Sequence, residues 1–388
     1  MKRWLQGLFP LLLLGALLFV FFSFGPLGIF QAAFPPVEEL TIDKIDLPGP
    51  HRMVVHVVNG GPEPVTVAQV TVDDALWKFT TEPSEKTIPR LGRMKIKIPY
   101  PWVEGETHAV SLLTSTGLTF SREIPVATQS PVMNSTYFWT FSLLGLYAGV
   151  IPVFLGLLWY PFLRDISSRW MDFFLSLTVG LLFFLAVDTL AESLETADRV
   201  AGAFQGVSLV AMGIFGTVLL LFYLARSKPG RSDKTTAEGR MWTSLMVALG
   251  IGLHNLGEGL AIGSAYAIGE IALGTFLVVG FTLHNLTEGL GIVAPIARDR
   301  ASLGRLCMLG TLAGGPTIIG TWIGGFSYSP VLATLFLAIG TGAILQVIYE
   351  IIQLLTRKEQ SAWLSGYSFS GFVLGLLIMY ATGLLTVA

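Results

Sequence analysis

Residues 250–292 read GIGLHNLGEGLAIGSAYAIGEIALGTFLVVGFTLHNLTEGLGI, and they contain a six-residue motif twice, with one difference at its fourth position. The copies run from His254 to Gly259 and from His284 to Gly289. On a helix, a His and a Glu four positions later lie on the same face, so each copy presents an imidazole and a carboxylate to one point. An ionisable side chain at membrane depth is costly and indicates a functional site. The repeat therefore predicts a paired His/Glu site within two consecutive membrane segments.

The composition is that of a polytopic membrane protein. Hydrophobic residues make up 52% of the chain and charged residues only 13%, against about 25% charged residues in soluble domains. The net charge is -2, and the absence of a basic tract argues against nucleic acid as a partner. The single cysteine, Cys307, excludes an intramolecular disulfide, and its apolar surroundings favour a packing role.

The N-terminus begins with an apolar stretch from about Leu8 to Phe30, preceded by Lys2 and Arg3. This stretch is long for the core of a signal peptide and long enough for a spanning helix. We therefore expect residues 1–34 to form an uncleaved signal anchor, with a cleaved signal peptide as the alternative.

Residues 35–131 have a different pattern, made of short alternating runs with turns between them. Met53 to Val58 and Met94 to Ile98 are examples, and Asn59 to Pro62 forms a turn signal between runs. The pattern predicts a small extracytoplasmic β-sandwich of immunoglobulin-like type.

Residues 136–388 return to apolar segments long enough to cross the ~30 Å hydrocarbon core. Eight segments are predicted, at 136–161, 171–195, 203–225, 242–265, 271–297, 306–326, 331–355 and 363–386. The fold class predicted is thus mainly α, a polytopic membrane protein with an eight-helix core that follows one anchor helix and a β-sandwich.

The basic residues predict the orientation of these segments, because cytoplasmic loops are enriched in Lys and Arg. With the N-terminus inside, the inner side receives Lys2, Arg3, Arg164, Arg169, Arg226, Lys228, Arg231, Lys234, Arg240, Arg298, Arg300, Arg305, Arg357 and Lys358. The short outer loops receive only Arg199. We therefore expect a multi-pass protein of the cell membrane with the β-domain and the C-terminus outside and loop 226–240 in the cytoplasm.

Buried carboxylates indicate what the core binds. None of the eight segments contains Lys or Arg, yet they hold Asp188, Glu192, Glu258, Glu288 and Glu350. A buried carboxylate must be protonated, paired or bound to a metal. Without a covalent counter-cation in these segments, protons or imported cations must neutralise them. Imidazole with carboxylate suits Zn²⁺ and other first-row divalent ions better than Mg²⁺ or Ca²⁺.

The depth of these residues predicts a path. At ~1.5 Å per residue, His254 and His284 each lie roughly 18 to 20 Å from their helix starts, near the bilayer midplane. Asp188 and Glu192 lie toward the outer end of the second segment and Glu350 toward the inner end of the seventh. Close helix packing is expected at the Gly-x-x-x-Gly pairs Gly259/Gly263, Gly310/Gly314 and Gly320/Gly324.

The core resembles the ZIP (Zrt/Irt-like) family of divalent metal transporters, whose fourth core helix carries His-Asn-x-x-Glu-Gly and whose fifth carries a related motif. The resemblance implies a binuclear metal site with the ligands His254, Asn255, Glu258, His284, Asn285 and Glu288. It also implies metal movement toward the cytoplasm, with Asp188 and Glu192 at the entrance and Glu350 near the exit.

Cofactor and partner predictions follow from the same resemblance. No prosthetic group and no enzymatic activity are expected, and the metal is a transported substrate, with two ions per site. Zinc is favoured, while iron, manganese and cadmium stay open. The expected partners are divalent metal ions and the lipid bilayer, with a homodimer left open.

One departure from the family concerns the helix backbone. ZIP proteins usually have Pro before the motif Glu, which breaks the helix, whereas this chain has Gly257 and Thr287. Gly can retain part of that looseness but Thr cannot, so the family's helix break is not supported at the fifth segment.

Two other function classes remain open. An intramembrane metal-dependent enzyme is one, although the His-Glu-x-x-His signature of zinc proteases is missing. A bis-histidine haem electron-transfer protein is the other, although two Glu residues beside the two His residues argue against it. His51, His56 and His108 of the outer domain are expected to be ordinary strand residues.

Overall fold

The computed structural model describes residues 2–24, 37–227, 236–356 and 365–387. Helix α1 (Lys2–Phe24) belongs to a separate compact unit, Met1–Val37. The C-terminal end of the predicted anchor, residues 25–34, lies outside the described residues. The anchor therefore stays a prediction.

A β-domain fills residues 40–124 and consists of two antiparallel sheets. The first sheet has the strand order β1-β2-β7-β5, and the second has β4-β3-β8-β9 with β6 paired to β3. The strands are β1 (Leu40–Gly49), β2 (Arg52–Asn59), β3 (Val65–Val72), β4 (Ala75–Leu76), β5 (Thr80–Glu82), β6 (Thr87–Ile88), β7 (Arg93–Ile98), β8 (His108–Thr114) and β9 (Thr119–Ile124). Alternating burial along them, as in Met53, Val55 and Val57, gives one shared apolar core. The strand predictions are confirmed.

Eight helical spans follow among the described residues, each long and apolar enough to cross a membrane. The first is interrupted: α2 (Ser135–Gly145), a π-helical segment at Leu146–Val150, α3 (Ile151–Leu157) and α4 (Tyr160–Asp165). The others are α5 (Ser168–Asp198), α6 (Gly206–Arg226), α7 (Ala237–Ala267), α8 (Ile271–Val293), α9 (Leu303–Phe326), α10 (Pro330–Thr356) and α11 (Gly366–Val387). The predicted segments 136–161 to 363–386 are confirmed as helices, with ends shifted by a few residues.

Helix termini agree with local sequence signals. Asn134 accepts a hydrogen bond from the backbone N–H of Tyr137 at 2.8 Å and so caps α2. Thr236 and Ser302 cap α7 and α9 in the same way. At the starts of these three helices, one of the unsatisfied backbone N–H groups is therefore satisfied by a side chain.

Glycines bring α7 and α9 into close contact. An added Cβ on Gly259 would overlap the Thr317 carbonyl oxygen, and one on Gly320 would overlap the Leu256 carbonyl oxygen. The Gly-x-x-x-Gly prediction is confirmed here, since no larger residue fits either position. This contact fixes the side of α7 that carries Asn255 against α9.

The β-domain lies at one end of the helical core. The Glu39 carboxylate accepts a hydrogen bond of 2.6 Å from the Gly202 N–H, in the connection between α5 and α6. Tyr328 and Ser329, before α10, line one cleft with Lys95 of β7. These two connections are outer loops in the predicted orientation, and the β-domain contacts them both.

Gly320→Ala tests the α7–α9 contact, with Gly315→Ala on the same helix as its control. A Cβ at Gly320 overlaps backbone of α7, and overpacking of this kind costs about 1–3 kcal/mol. At Gly315 the nearest atom to an added Cβ is 3.7 Å away, an ordinary contact. We expect Gly320→Ala to lower the thermal unfolding temperature in detergent and Gly315→Ala to leave it unchanged or raise it. Equal unfolding temperatures for the two variants would contradict the packing assignment.

Candidate functional site

Helices α7 and α8 are antiparallel neighbours that present the two repeated motifs to each other. Both are continuous helices across the positions where the family has Pro, Gly257 and Thr287. The Thr287 hydroxyl donates to the His284 carbonyl at 2.6 Å. No helix break frees a carbonyl beside either motif Glu, as expected for the fifth segment. The irregular backbone near the site is instead the π-helical segment of the first span.

Glu258 is the centre of the site. Its Oε1 lies 2.9 Å from His254 Nε2 and 2.6 Å from His284 Nε2. Its Oε2 accepts a hydrogen bond from Asn285 Nδ2 at 3.1 Å. All of these side chains are buried, with Glu258 3% exposed. One carboxylate therefore joins the imidazoles of two different membrane helices.

The cluster of His254, Glu258 and His284 has dimensions suited to a metal ion. One ligand atom from each residue lies within 4.8 Å of the other two. In a tetrahedral zinc site with bonds of about 2.0–2.2 Å, neighbouring ligand atoms are about 3.3 Å apart. The hydrogen-bonded contacts are slightly shorter, so small side-chain rotations would open the cluster to that spacing. Two imidazole nitrogens and a carboxylate oxygen also match the ligand types of zinc.

The two motif asparagines present oxygens without donors. Asn255 donates through Nδ2 to the Ala313 carbonyl of α9 at 3.1 Å, and Asn285 donates to the Ala148 carbonyl of the π-helical segment at 2.9 Å. The Oδ1 atom of each is buried and accepts no hydrogen bond. A buried acceptor without a donor is destabilising. A cation would satisfy both oxygens.

Glu288 differs from Glu258 in its surroundings. It is 2% exposed, and within the described part of the chain neither of its oxygens accepts a hydrogen bond of good geometry, with the Asn255 amide as its nearest polar neighbour. It lies one helical turn from His284, beside Asn255, and outside the three-residue cluster. The symmetric sequence motif therefore gives an asymmetric site, with one carboxylate held by imidazoles and one open to a further positive charge.

Two acids of α5 lie next to the cluster. Asp188 and Glu192 of α5 line a narrow cleft together with His254 and Glu258. Asp188 is exposed and Glu192 is half-buried. The structure therefore places the two acids predicted for the entrance directly next to the imidazole–carboxylate cluster.

Glu350 lies away from the cluster. Gly340 of α10 packs on His254, since a Cβ there would be 3.3 Å from His254 Nδ1. Glu350 follows ten residues later, about 15 Å farther along the helix. It is 5% exposed and accepts a hydrogen bond from Gln346 Nε2 at 3.3 Å. Gln346 is not among the predicted site residues, because the prediction for this helix rests on its buried acid and the two repeated motifs lie on other helices. Its spacing of four residues from Glu350 is the signal that could have identified it.

Asp172 was also missing from the predicted set. It lies near the start of α5, where one of its carboxylate oxygens is buried. A count of every acid within the second apolar segment would have found it.

The histidines of the β-domain have ordinary partners. His56 Nε2 lies 2.7 Å from Asp46 Oδ2, and His108 Nδ1 lies 2.8 Å from Asp73 Oδ2. Burial raises the pKa of Asp46, but hydrogen bonds from His56 and Lys44 outweigh it and hold that pKa below the usual value. His51 is not a strand residue as predicted. It occupies the turn between β1 and β2 with a φ of +61°, where turn geometry prevails over the strand pattern.

Comparison with known proteins matches the C-terminal part of the helical core to a family. A family model described as ZIP zinc transporter matches residues 223–383. The match includes both repeated motifs and Glu350, whereas Asp188 and Glu192 precede it. No curated protein matches the chain. Members of the matched family transport divalent metals across membranes. The chain is a multi-pass membrane protein, and its described residues include eight helices long and apolar enough to span a membrane. Residues 223–383 of this chain are a domain of the ZIP zinc transporter family.

Proposed function

We propose that the protein carries zinc, or a similar divalent transition metal, toward the cytoplasm through the cluster of His254, Glu258 and His284. The observation that carries this proposal is the convergence of two imidazoles on one buried carboxylate between two membrane helices. Polar groups at this depth are costly unless they serve an ion or proton path. The family supplies divalent metal transport as the general activity.

A second ion position is proposed at the oxygens that lack donors. These are Oδ1 of Asn255, Oδ1 of Asn285 and the two oxygens of Glu288. The first position has nitrogen and oxygen ligands and favours zinc, whereas an all-oxygen position also accepts harder ions such as Mn²⁺. Zinc is therefore the favoured substrate, with iron, manganese and cadmium as further candidates.

The route is proposed to run from Asp188 and Glu192, through the cluster, to Glu350. The cleft that joins the two outer acids to His254 and Glu258 supports its first part. In the proposed orientation the β-domain, residues 35–131, and the C-terminus lie on the entrance side. Contacts of the β-domain with the connections before α6 and α10 agree with that orientation, because both are predicted outer loops.

The other function classes receive less support. The ring centroids of His254 and His284 are 6.3 Å apart, and both Nε2 atoms point at Glu258 instead of at opposite faces of a planar cofactor. The matched family consists of transporters and not enzymes. The metal is accordingly a transported substrate, and the proposal includes no prosthetic group. A homodimer stays a prediction.

Zinc uptake by proteoliposomes tests the site. We expect Glu258→Gln and Glu288→Gln each to lower zinc uptake by about 10- to 100-fold. Losses of this size in metal affinity or activity are typical when the groups that support a bound metal are changed. The matched control is Glu270→Gln, in the turn between α7 and α8, which should transport at the rate of the unmodified protein. Normal uptake by both motif variants, at equal expression, would overturn the site assignment.

Proton release tests the difference between the two glutamates. A buried carboxylate without a donor is neutralised by a proton or a metal ion, so zinc binding should displace a proton from Glu288. We expect the unmodified protein to release about one proton more per bound zinc than Glu288→Gln does. A pH indicator in weakly buffered detergent solution, with calorimetry for the stoichiometry, measures this. Glu270→Gln should behave like the unmodified protein, and equal release from Glu288→Gln would contradict the role of Glu288.

Cysteine labelling tests the orientation. Cys307, the single cysteine of the chain, lies within the span α9, so the test uses a Cys307→Ser background. Arg300→Cys in that background places a thiol in the exposed connection between α8 and α9, which the orientation puts at the cytoplasmic side. A membrane-impermeant maleimide should label it only after cells are permeabilised. Ser121→Cys, on exposed strand β9 in a Cys307→Ser background, should be labelled on intact cells. The reverse pattern would invert the orientation, and Cys307→Ser alone should show no labelling.

A further inference from the structure

Gln346 lies between the metal cluster and Glu350 on the surface where α7 and α10 meet. Gly340 of α10 is level with His254, as its packing on Nδ1 shows. Six residues later, Gln346 is level with Gly250, because a Cβ on Gly250 would be 3.5 Å from Gln346 Oε1. Gly250 lies one helical turn before His254 on α7. The hydroxyl of Thr341, the one polar side chain between these two levels of α10, donates to the Leu337 carbonyl of its own helix, so Gln346 is the first amide or acid of α10 after the level of His254 in the direction of Glu350.

The amide of Gln346 is satisfied on one side only. Its Nε2 donates to Glu350 Oε1 at 3.3 Å, while its Oε1 is buried and accepts no hydrogen bond. The residue is 0% exposed. Rotating the amide group by 180° would not satisfy both of its ends. Such a rotation exchanges Nε2 and Oε1, and the oxygen would then face the Glu350 carboxylate, which has no proton to donate when it is ionised. A buried carbonyl oxygen without a donor is uncommon in proteins and calls for an explanation.

Packing alone does not explain a glutamine at this position. Leucine has nearly the same size and would fill the space without an unsatisfied oxygen. Orientation of Glu350 requires only the NH₂ group of the amide, and it leaves the buried oxygen without an explanation. What the oxygen offers is a neutral, hard ligand that faces the α7–α10 surface.

We infer that Gln346 Oε1 is a transient metal ligand between the His254/Glu258/His284 cluster and Glu350. This inference rests on the proposed function and adds a step to its route. Gly340 and Glu350 are about 15 Å apart along α10. Gln346 lies between them, about 9 Å from the level of Gly340 and about 6 Å from that of Glu350. Gly250 contributes no side chain beside this oxygen, and α7 packs there directly against Val347 and Ala343 of α10. A divalent ion that leaves the imidazoles thus meets an amide oxygen before it meets the carboxylate.

Ligand softness provides the test. Gln346→Met keeps a similar volume but replaces a hard oxygen by a soft thioether, whereas Gln346→Leu offers no ligand. We expect Gln346→Leu to reduce both Mn²⁺ and Cd²⁺ uptake by about tenfold, the lower end of the range for lost metal-supporting contacts. Gln346→Met should instead raise the ratio of Cd²⁺ to Mn²⁺ uptake, again by about tenfold.

Gln353 gives the matched control. It lies on the same helix, two turns farther on, and its amide bonds the Tyr349 hydroxyl. Gln353→Met and Gln353→Leu should leave the Cd²⁺ to Mn²⁺ ratio unchanged. A role of Gln346 in packing alone predicts the same ratio for the Met and Leu variants and for the unmodified protein.

Two measurements separate this inference from the proposed function and from misfolding. Calorimetric zinc binding to Gln346→Leu should match that of the unmodified protein, because the cluster is intact, and its thermal unfolding temperature should be unchanged or raised. Full uptake by Gln346→Leu, or an unchanged ion ratio in Gln346→Met, would overturn the ligand role alone. Failure of the unmodified protein to transport any of these ions would overturn the proposed function and this step with it.

Discussion

The sharing of one carboxylate oxygen between two imidazoles organises the membrane core. Glu258 Oε1 lies within 3 Å of His254 Nε2 on its own helix and of His284 Nε2 on the neighbouring helix. These side chains are buried, where the effective dielectric constant is low, so the interaction is strong when complete and costly when broken. Helices α7 and α8 must therefore stay in register. The glycine contacts between α7 and α9 hold the opposite side of α7, and the amide of Asn255 adds a bond to the Ala313 carbonyl.

Much of this arrangement could be predicted from the sequence, because it depends on periodicity. Apolar length gives the eight spans, and spacing by four residues places His254 with Glu258 and His284 with Glu288. Spacing of four between glycines likewise gives the close contact of Gly320 with α7. These features need only the geometry of a helix.

The remainder depends on partners that periodicity does not determine. The two motifs are nearly identical, yet Glu258 accepts three hydrogen bonds and Glu288 none within the described residues. That difference lies in the neighbours of each carboxylate, since both imidazoles and the Asn285 amide bond Glu258. The π-helical segment at Leu146–Val150 and the half-satisfied amide of Gln346 also depend on neighbours far away in sequence. His51 lies outside β2 because the chain turns there with a positive φ, and the alternation from Met53 to Val58 does not determine where that turn falls.

The bond from Asn285 to Ala148 has a consequence for the first membrane span. Ala148 belongs to the π-helical segment, and its carbonyl oxygen accepts a hydrogen bond from the Asn285 amide. The same amide has its other end, Oδ1, free for an ion. Filling of the metal site would therefore be coupled, through one side chain, to a span that supplies none of the proposed ligands.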